Sequence, residues 1–238
     1  IKHVKRAHFL FQIMENTFEN TTLRKVRIFK KSVEKLSFWI LVVITFFSCK
    51  PVEPPAPYQY NAAPAFKWGF ADFYGSYYSH YGNPNNTVSL HLFTGNLFLN
   101  EESALEGTGQ YLIMEDIFSA PSDTLLPAGN YRAAETGEPF TFYAGKKFED
   151  NRESIPSGAF IYYIESDPTK SKIAYVTDGT MKINVSSEGI YDIQCNFTLD
   201  GKTELKGTFK SELPHFDRFA VMPASASRHR LKLQSPVN

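Results

Sequence analysis

The residues able to do chemistry in this chain are few and scattered. Its six histidines, His3, His8, His80, His91, His215 and His229, show no H-x-H, H-E-x-x-H or mixed Cys/His spacing, so no metal site is signalled. The carboxylates Glu101-Glu102 and Glu115-Asp116 are adjacent. Neighbours on a strand point to opposite faces, so Glu115-Asp116 is not by itself an acid–base pair. Asp192, near Glu188 or Asp200 at a hairpin end, reads as solvated turn chemistry. His91 stands between Leu90 and Leu92 and is expected on the opposite, solvent face. Cys195 alternates with polar residues in Ile190–Phe197 and reads as a small apolar filler rather than a nucleophile. The chain has no G-x-S-x-G, no phosphate loop and no dinucleotide fingerprint. The sequence therefore assigns no catalytic residue, no metal ligand and no cofactor.

Binding chemistry has a stronger signal. Phe66, Trp68, Phe70, Phe73, Tyr74, Tyr77, Tyr78 and Tyr81 put eight aromatic residues into sixteen positions. With a period of two, Phe66, Trp68 and Phe70 share the core side of a strand over Phe70–Ser79 and its lead-in. Tyr77 and Tyr81 then fall on the opposite side as possible ligand contacts. A tyrosine offers a rigid apolar plate with a polar tip, suited to stacking on a sugar or touching a protein. The alternative is cross-strand packing that stiffens the sheet.

Upstream of these residues, Lys30-Lys31 precede the twelve mostly apolar residues Leu36–Phe47, then Ser48-Cys49. A membrane-spanning helix needs about 20 apolar residues, and Pro51 stops this one. The pattern fits a secretory signal. Phe46-Phe47-Ser48-Cys49 resembles a bacterial lipobox, which implies cleavage before a diacylated Cys49. An ordinary signal peptide, or a buried helix with an incidental cysteine, is the alternative. The n-region is complete without residues 1–22, so residues 1–48 are expected to hold the signal and an over-extended start, with translation beginning at Met14 or later. Residues 49–64 follow as a tether, with five prolines among the fifteen residues 50–64. Proline-rich chain favours extended polyproline II.

The net charge of zero conceals an asymmetry. Residues 1–48 carry nine Lys+Arg against three Asp+Glu, and residues 49–238 carry sixteen against twenty-two. A mildly acidic mature chain without a basic stripe excludes a nucleic-acid partner. Arg228-His229-Arg230-Leu231-Lys232 is the nearest to such a stripe. It falls in residues 223–238, which read as a frayed, solvated tail.

Residues 65–222 read as strand after strand. About ten segments alternate at 8–12-residue spacing with Gly, Pro, Asn and Asp between them, and Asp178-Gly179 and Asp200-Gly201 read as hairpin turns. The expected fold is all-β, an antiparallel β-sandwich or flattened β-barrel. The run GTMKINVSSEGIYDIQCNFTLDGKTELKGTF and the LPAGNY turn resemble an all-β lipoprotein type of Bacteroidota over residues 70–210. The resemblance implies an exported, lipid-anchored protein of the outer membrane or cell envelope, with no active site to carry over. It also implies possible O-glycosylation at Thr124, in Asp123-Thr124-Leu125. Two functions follow as expectations: a non-catalytic binding or structural module for a glycan or partner envelope protein, or a small barrel carrying an apolar ligand. An enzyme comes third. A filled interior favours the first and a cavity the second.

Overall fold

Why strands form here is visible in composition. Val, Ile, Tyr, Phe and Thr dominate the apolar runs, and Gly or Asx residues punctuate them. A computed structural model of the chain describes residues 61–150, 153–219 and 230–233. All belong to the unit Ala56–Asn238. The signal segment, Cys49 and the tether up to residue 60 lie outside the described residues. The strands are β1 (Ala65–Phe66), β2 (Trp68–Phe73), β3 (Asn86–Phe93), β4 (Leu97–Leu99), β5 (Ala104–Gly107), β6 (Gly109–Ser119), β7 (Gly129–Ala133), β8 (Thr141–Phe142) and β9 (Lys146–Asp150). They continue with β10 (Glu153–Ser157), β11 (Ala159–Ile164), β12 (Lys172–Val185), β13 (Ile190–Leu199), β14 (Glu204–Leu205), β15 (Thr208–Glu212), β16 (His215–Asp217) and β17 (Lys232–Leu233). Among the described residues there is no α-helix, and no helix is long and apolar enough to cross a membrane.

The protein is all-β, with two long strands at its centre. One edge of β6 pairs with β3, and the other pairs first with β11 and then with β8. In the same way β12 pairs with β13 on one edge, and with β11 and then β7 on the other. Since β7 pairs with β8, the strands β6, β11, β12, β7 and β8 close a five-stranded ring. The neighbours β3, β2 and β16 extend the sheet beyond β6; β13, β15 and β1 extend it beyond β12. The result is a flattened barrel whose two broad walls face each other like a sandwich. Most pairings are antiparallel; β1/β15, β2/β16, β7/β8 and β5/β17 are parallel.

The space between the walls is filled. Leu90, Leu92, Leu112, Met114 and Ile117 meet Met181, Ile183, Ile193, Cys195 and Phe197 in one cluster. A cavity wide enough for a ligand would leave accessible wall on its lining, and Leu112, Met114, Phe142, Ile161, Val176 and Met181 are all at 0%. The LPAGNY motif acquires a physical meaning here. Tyr131 donates its hydroxyl to the Pro127 carbonyl at 2.8 Å and Tyr191 donates to the Leu126 carbonyl at 3.0 Å, so two core rings hold the turn by its backbone.

Several local expectations are corrected. Asp178-Gly179 is not a hairpin turn: it lies inside the fourteen-residue β12, beside a bulge where β12 carries one extra residue against β13. The Asx side chain there bonds its own neighbour, Gly179 N to Asp178 Oδ1 at 2.7 Å, and satisfies the backbone without reversing the chain. Asp200-Gly201 does turn, but Lys202 rather than Gly201 takes the positive φ, 58°. The aromatic stripe also breaks. The chain leaves β1 at Lys67, so Phe66, paired with β15, enters the interior cluster, while Trp68 and Phe70 face outward. β2 ends at Phe73, and Tyr77 and Tyr81 are not on a strand. Within the span read as a solvated tail, Lys232-Leu233 pairs with β5.

The two glycines provide a test. Gly179 has φ +134°, and a Cβ there would collide with the Asn196 carbonyl oxygen and the Phe197 backbone, whereas a Cβ on Gly201 meets nothing within 4 Å. Gly179→Val is expected to cost about 2 kcal/mol or more. Gly201→Val should stay within about 0.5 kcal/mol. Paired thermal melts check both; equal losses would contradict the assigned backbone.

Candidate functional site

Two surfaces collect the polar and aromatic residues that the sequence singles out: the outer face of the β2–β3–β6–β11 wall, and the loop from Tyr74 to Asn85.

The outer face carries a second buried cluster of Phe70, Phe93, Leu97, Leu105, Tyr111, Ile113 and Phe160. Its rings stack across strands: Trp68 on Phe93 at 3.8 Å, Phe93 on Tyr111 at 4.3 Å, Phe70 on His91 at 4.5 Å. The β4–β5 hairpin lies over this cluster, tied by Trp68 Nε1 donating to the Leu97 carbonyl at 2.8 Å. His91 is therefore not solvent-facing as the alternation predicts. It does point away from Leu90 and Leu92, but that side is covered too, and His91 is 2% exposed.

A line of polar groups runs through this apolar face. Arg218 Nε donates to Asp72 Oδ1 at 2.8 Å; Asp72 Oδ2 lies 3.8 Å from His91 Nε2; His91 Nδ1 and the Tyr111 hydroxyl are 2.6 Å apart. Beyond Tyr111, Glu115 Oε1 meets Arg230 at 2.6 Å, and Glu115 Oε2 accepts from Gly158 N at 3.2 Å. Burial holds the Tyr111 phenol well above its ordinary value, with Tyr162, Glu115 and Asp72 adding to the rise and Arg230 opposing it. Burial likewise pushes Tyr162 up to about 12.

Glu115 and Asp116 depart from the sequence expectation in a specific way. Leu90 pairs with Met114 and Val88 with Ile117, so Ser89 alone opposes both acids. This is a β-bulge, and it slips the period of two by one residue. Met114 and Ile117 both enter the interior cluster; Glu115 and Asp116 both stay out of it. Ser89 donates its hydroxyl to the Glu115 carbonyl at 2.7 Å, which helps satisfy the bulge. The two acids then part company. Glu115 takes Arg230, and Asp116 accepts from the Tyr78 hydroxyl at 2.8 Å.

An Asp–His–Tyr line has the order of a proton relay, but Asp72, His91 and Tyr111 are 0–2% exposed, and the 3.8 Å between Asp72 and His91 is too long for a hydrogen bond. Packing accounts for their bonds: Asp72 is held by Arg218 and His91 by the Tyr111 hydroxyl, inside a wall covered on both sides. Among the described residues no group of three His, Cys, Asp or Glu residues comes together to hold a metal. Cys195 is buried in the interior cluster, and burial pushes its thiol up to about 12, the opposite of an activated nucleophile.

The tyrosine loop is the exposed counterpart. The chain leaves β2 through Gly75, φ +56°, makes a 3-10 turn over Ser79–Tyr81, and closes at Gly82, φ +81°. Asn83 and Asn85 both donate side-chain amides to the Gly137 carbonyl, at 3.0 and 2.9 Å, bracing the loop on the β7–β8 connection. The Tyr78–Asp116 bond anchors it from below. Tyr77 packs edge-on against Tyr74 and Tyr78, at 6.0 and 5.1 Å, and is half-buried. Tyr81 lies 6.3 Å from Tyr78 and is 85% exposed. Thr124 is exposed in the β6–β7 loop, where Asp123 Oδ2 accepts from Ala120 N at 2.9 Å. Cys49 lies outside the described residues.

Sequence reasoning missed the Asp72–His91–Tyr111 line. A partial signal existed in β6, where Tyr111–Met114 is four apolar residues in a row, the pattern of a strand buried on both faces. No family model, curated protein or solved structure matches this chain.

The buried tyrosines set an alkaline limit. A phenol whose folded pKa is raised keeps its contribution below the unfolded value of about 10 and loses it as pH rises beyond that. Each ring held neutral should cost about 1.4 kcal/mol per pH unit above 10. Tyr111→Phe should lower stability at pH 7 by about 1–3 kcal/mol, because it removes the phenol partner of buried His91 Nδ1. It should also flatten the alkaline slope. Urea melts of wild type and variant from pH 7 to 11 check this; an unchanged slope would contradict the assigned burial.

Proposed function

We propose that this chain is a lipid-anchored cell-envelope protein acting as a non-catalytic binding module, with a glycan as ligand and Tyr81 and Tyr77 as contacts. The observation that carries the reading is Tyr81, a large ring 85% exposed on a loop braced by Asn83, Asn85 and Tyr78. A ring presented on a braced loop costs little backbone ordering on binding. Its face suits the apolar C–H face of a sugar, and its hydroxyl can exchange hydrogen bonds with sugar hydroxyls. The anchor rests on Ser48-Cys49 after the apolar run, and the tether on the prolines of residues 50–64. The filled interior gives no support to apolar-ligand carriage, and the inaccessible Asp72–His91–Tyr111 line gives none to catalysis.

The test separates binding from stability. Tyr81→Ala should change folding stability by no more than about 0.5 kcal/mol. Tyr77→Ala, which loses two ring contacts, should cost about 1 kcal/mol. Against a panel of immobilised oligosaccharides, each truncation should weaken binding about fivefold, corresponding to about 1 kcal/mol per stacked ring. Binding unaffected by either change, or no glycan bound by wild type, would contradict the reading. Retention of a purified envelope protein in the absence of glycan would assign the loop to a protein partner instead.

A further inference from the structure

Residues 230–233 lie on the outer face in the manner of a bound peptide. Lys232 and Leu233 pair in parallel with Ala104 and Leu105 of β5, adding a strand to the β4–β5 hairpin. Leu231 and Leu233, one period of two apart, pack against the outer cluster. Arg230 reaches the buried Glu115 carboxylate at 2.6 Å and the Pro156 carbonyl at 2.7 Å. These are the components of strand addition: backbone pairing holds the segment, while alternate side chains and one charge supply selectivity.

We propose that this groove, from the β5 edge to Glu115, is a docking site for an extended peptide of a partner protein with the pattern Arg-apolar-any-apolar, and that residues 230–233 occupy it in cis. Among the described residues, two paired residues, two leucines and one guanidinium hold the segment in place. Leu231 and Leu233 pack on the outer cluster and not in the interior one, so the segment can leave without opening the core between the walls. Opening takes a cation from Glu115, which the bulge keeps 5% exposed beside Tyr111 and Tyr162. A strand that replaces the segment restores that contact when it brings a cation to the same position. Arginine suits it, because its planar fork can engage a carboxylate and a carbonyl at once. Covalent linkage gives the cis segment an effective concentration in the millimolar range, so a free peptide competes well only where the segment is weakened. The site uses none of the residues of the tyrosine loop.

The test follows the anisotropy of a labelled hexapeptide, Ser-Arg-Leu-Lys-Leu-Gln, with the full chain. Two variants weaken the cis segment by different means, Leu231→Ala/Leu233→Ala and Arg230→Gln, and thermal melts monitor their folding. Both should bind the peptide at least tenfold more tightly than the unaltered chain. Replacing the peptide's arginine with glutamine, which leaves the protein untouched, should remove that gain. Variants that fold but bind no better, or binding indifferent to the peptide's arginine, would overturn the proposal. Variants that fail to fold would make the segment an integral core strand and overturn it as well. A concentration-dependent dimer of the unaltered chain, abolished by Leu231→Ala/Leu233→Ala, would give the groove to a second copy instead of a partner protein.

Discussion

Strand β6 is buried at all eleven positions, and the rest of the architecture follows from that constraint. A strand with no solvent face needs a packed layer on each side and a partner for every polar group along it. The interior cluster covers one side of β6. On the other side the β4–β5 hairpin and residues 230–233 join Tyr111 and Ile113 in the outer cluster. The two edges are filled by β3 and by β11 followed by β8, and this hand-over from β11 to β8 on a single edge closes the ring.

The polar residues of β6 show how the demand is met. Gln110 exchanges two hydrogen bonds with the backbone of Asn61, both at 3.0 Å, which ties the last described residues of the tether side to the fold. Tyr111 meets His91, Glu115 meets Arg230 and Gly158, and Asp116 meets Tyr78. The bulge gives these acids two separate uses. Glu115 binds the segment that covers the outer face, and Asp116 anchors the loop that projects Tyr81. A buried carboxylate without a cation or donors is costly, so the same physics that completes the wall also fixes its two most distinctive surface features. The Asp72–His91–Tyr111 line, suggestive as a list of residue types, answers a demand of packing: on a two-faced wall each buried polar group needs a partner, Arg218 for Asp72 and Tyr111 for His91.

Turn spacing and alternation made the all-β class legible, most clearly at Ala159–Ile164 and Ile190–Leu199. These strands sit between clear Gly, Pro or Asx breaks. What stayed hidden has physical reasons. His91 was assigned to solvent because alternation reports which side a residue takes, not whether that side is covered. Asp178-Gly179 has the composition of a turn, yet an Asx–Gly pair serves equally well at a bulge, where positive φ is also needed. Glu115 and Asp116 could not be placed because a bulge has no signature in a run of mixed polarity. The short strands β4, β5 and β17 carry too few residues to show a period. Tyr77 and Tyr81 follow from aromatic density and from a period of two carried past Phe73, where β2 in fact ends. Their positions depend on where β2 ends, which is set by the Gly75 conformation and by Thr87 N donating to the Gly75 carbonyl at 2.8 Å.

The claim at the centre of this account is that β6, enclosed on both faces and both edges, is the most protected element of the fold. Hydrogen–deuterium exchange of the full chain, read by mass spectrometry, measures this directly. Amides across Gly109–Ser119 should exchange last, at the rate of global unfolding, well after those of the tyrosine loop and of residues 230–233. Exchange of Gly109–Ser119 as fast as that of the β4–β5 hairpin would contradict it.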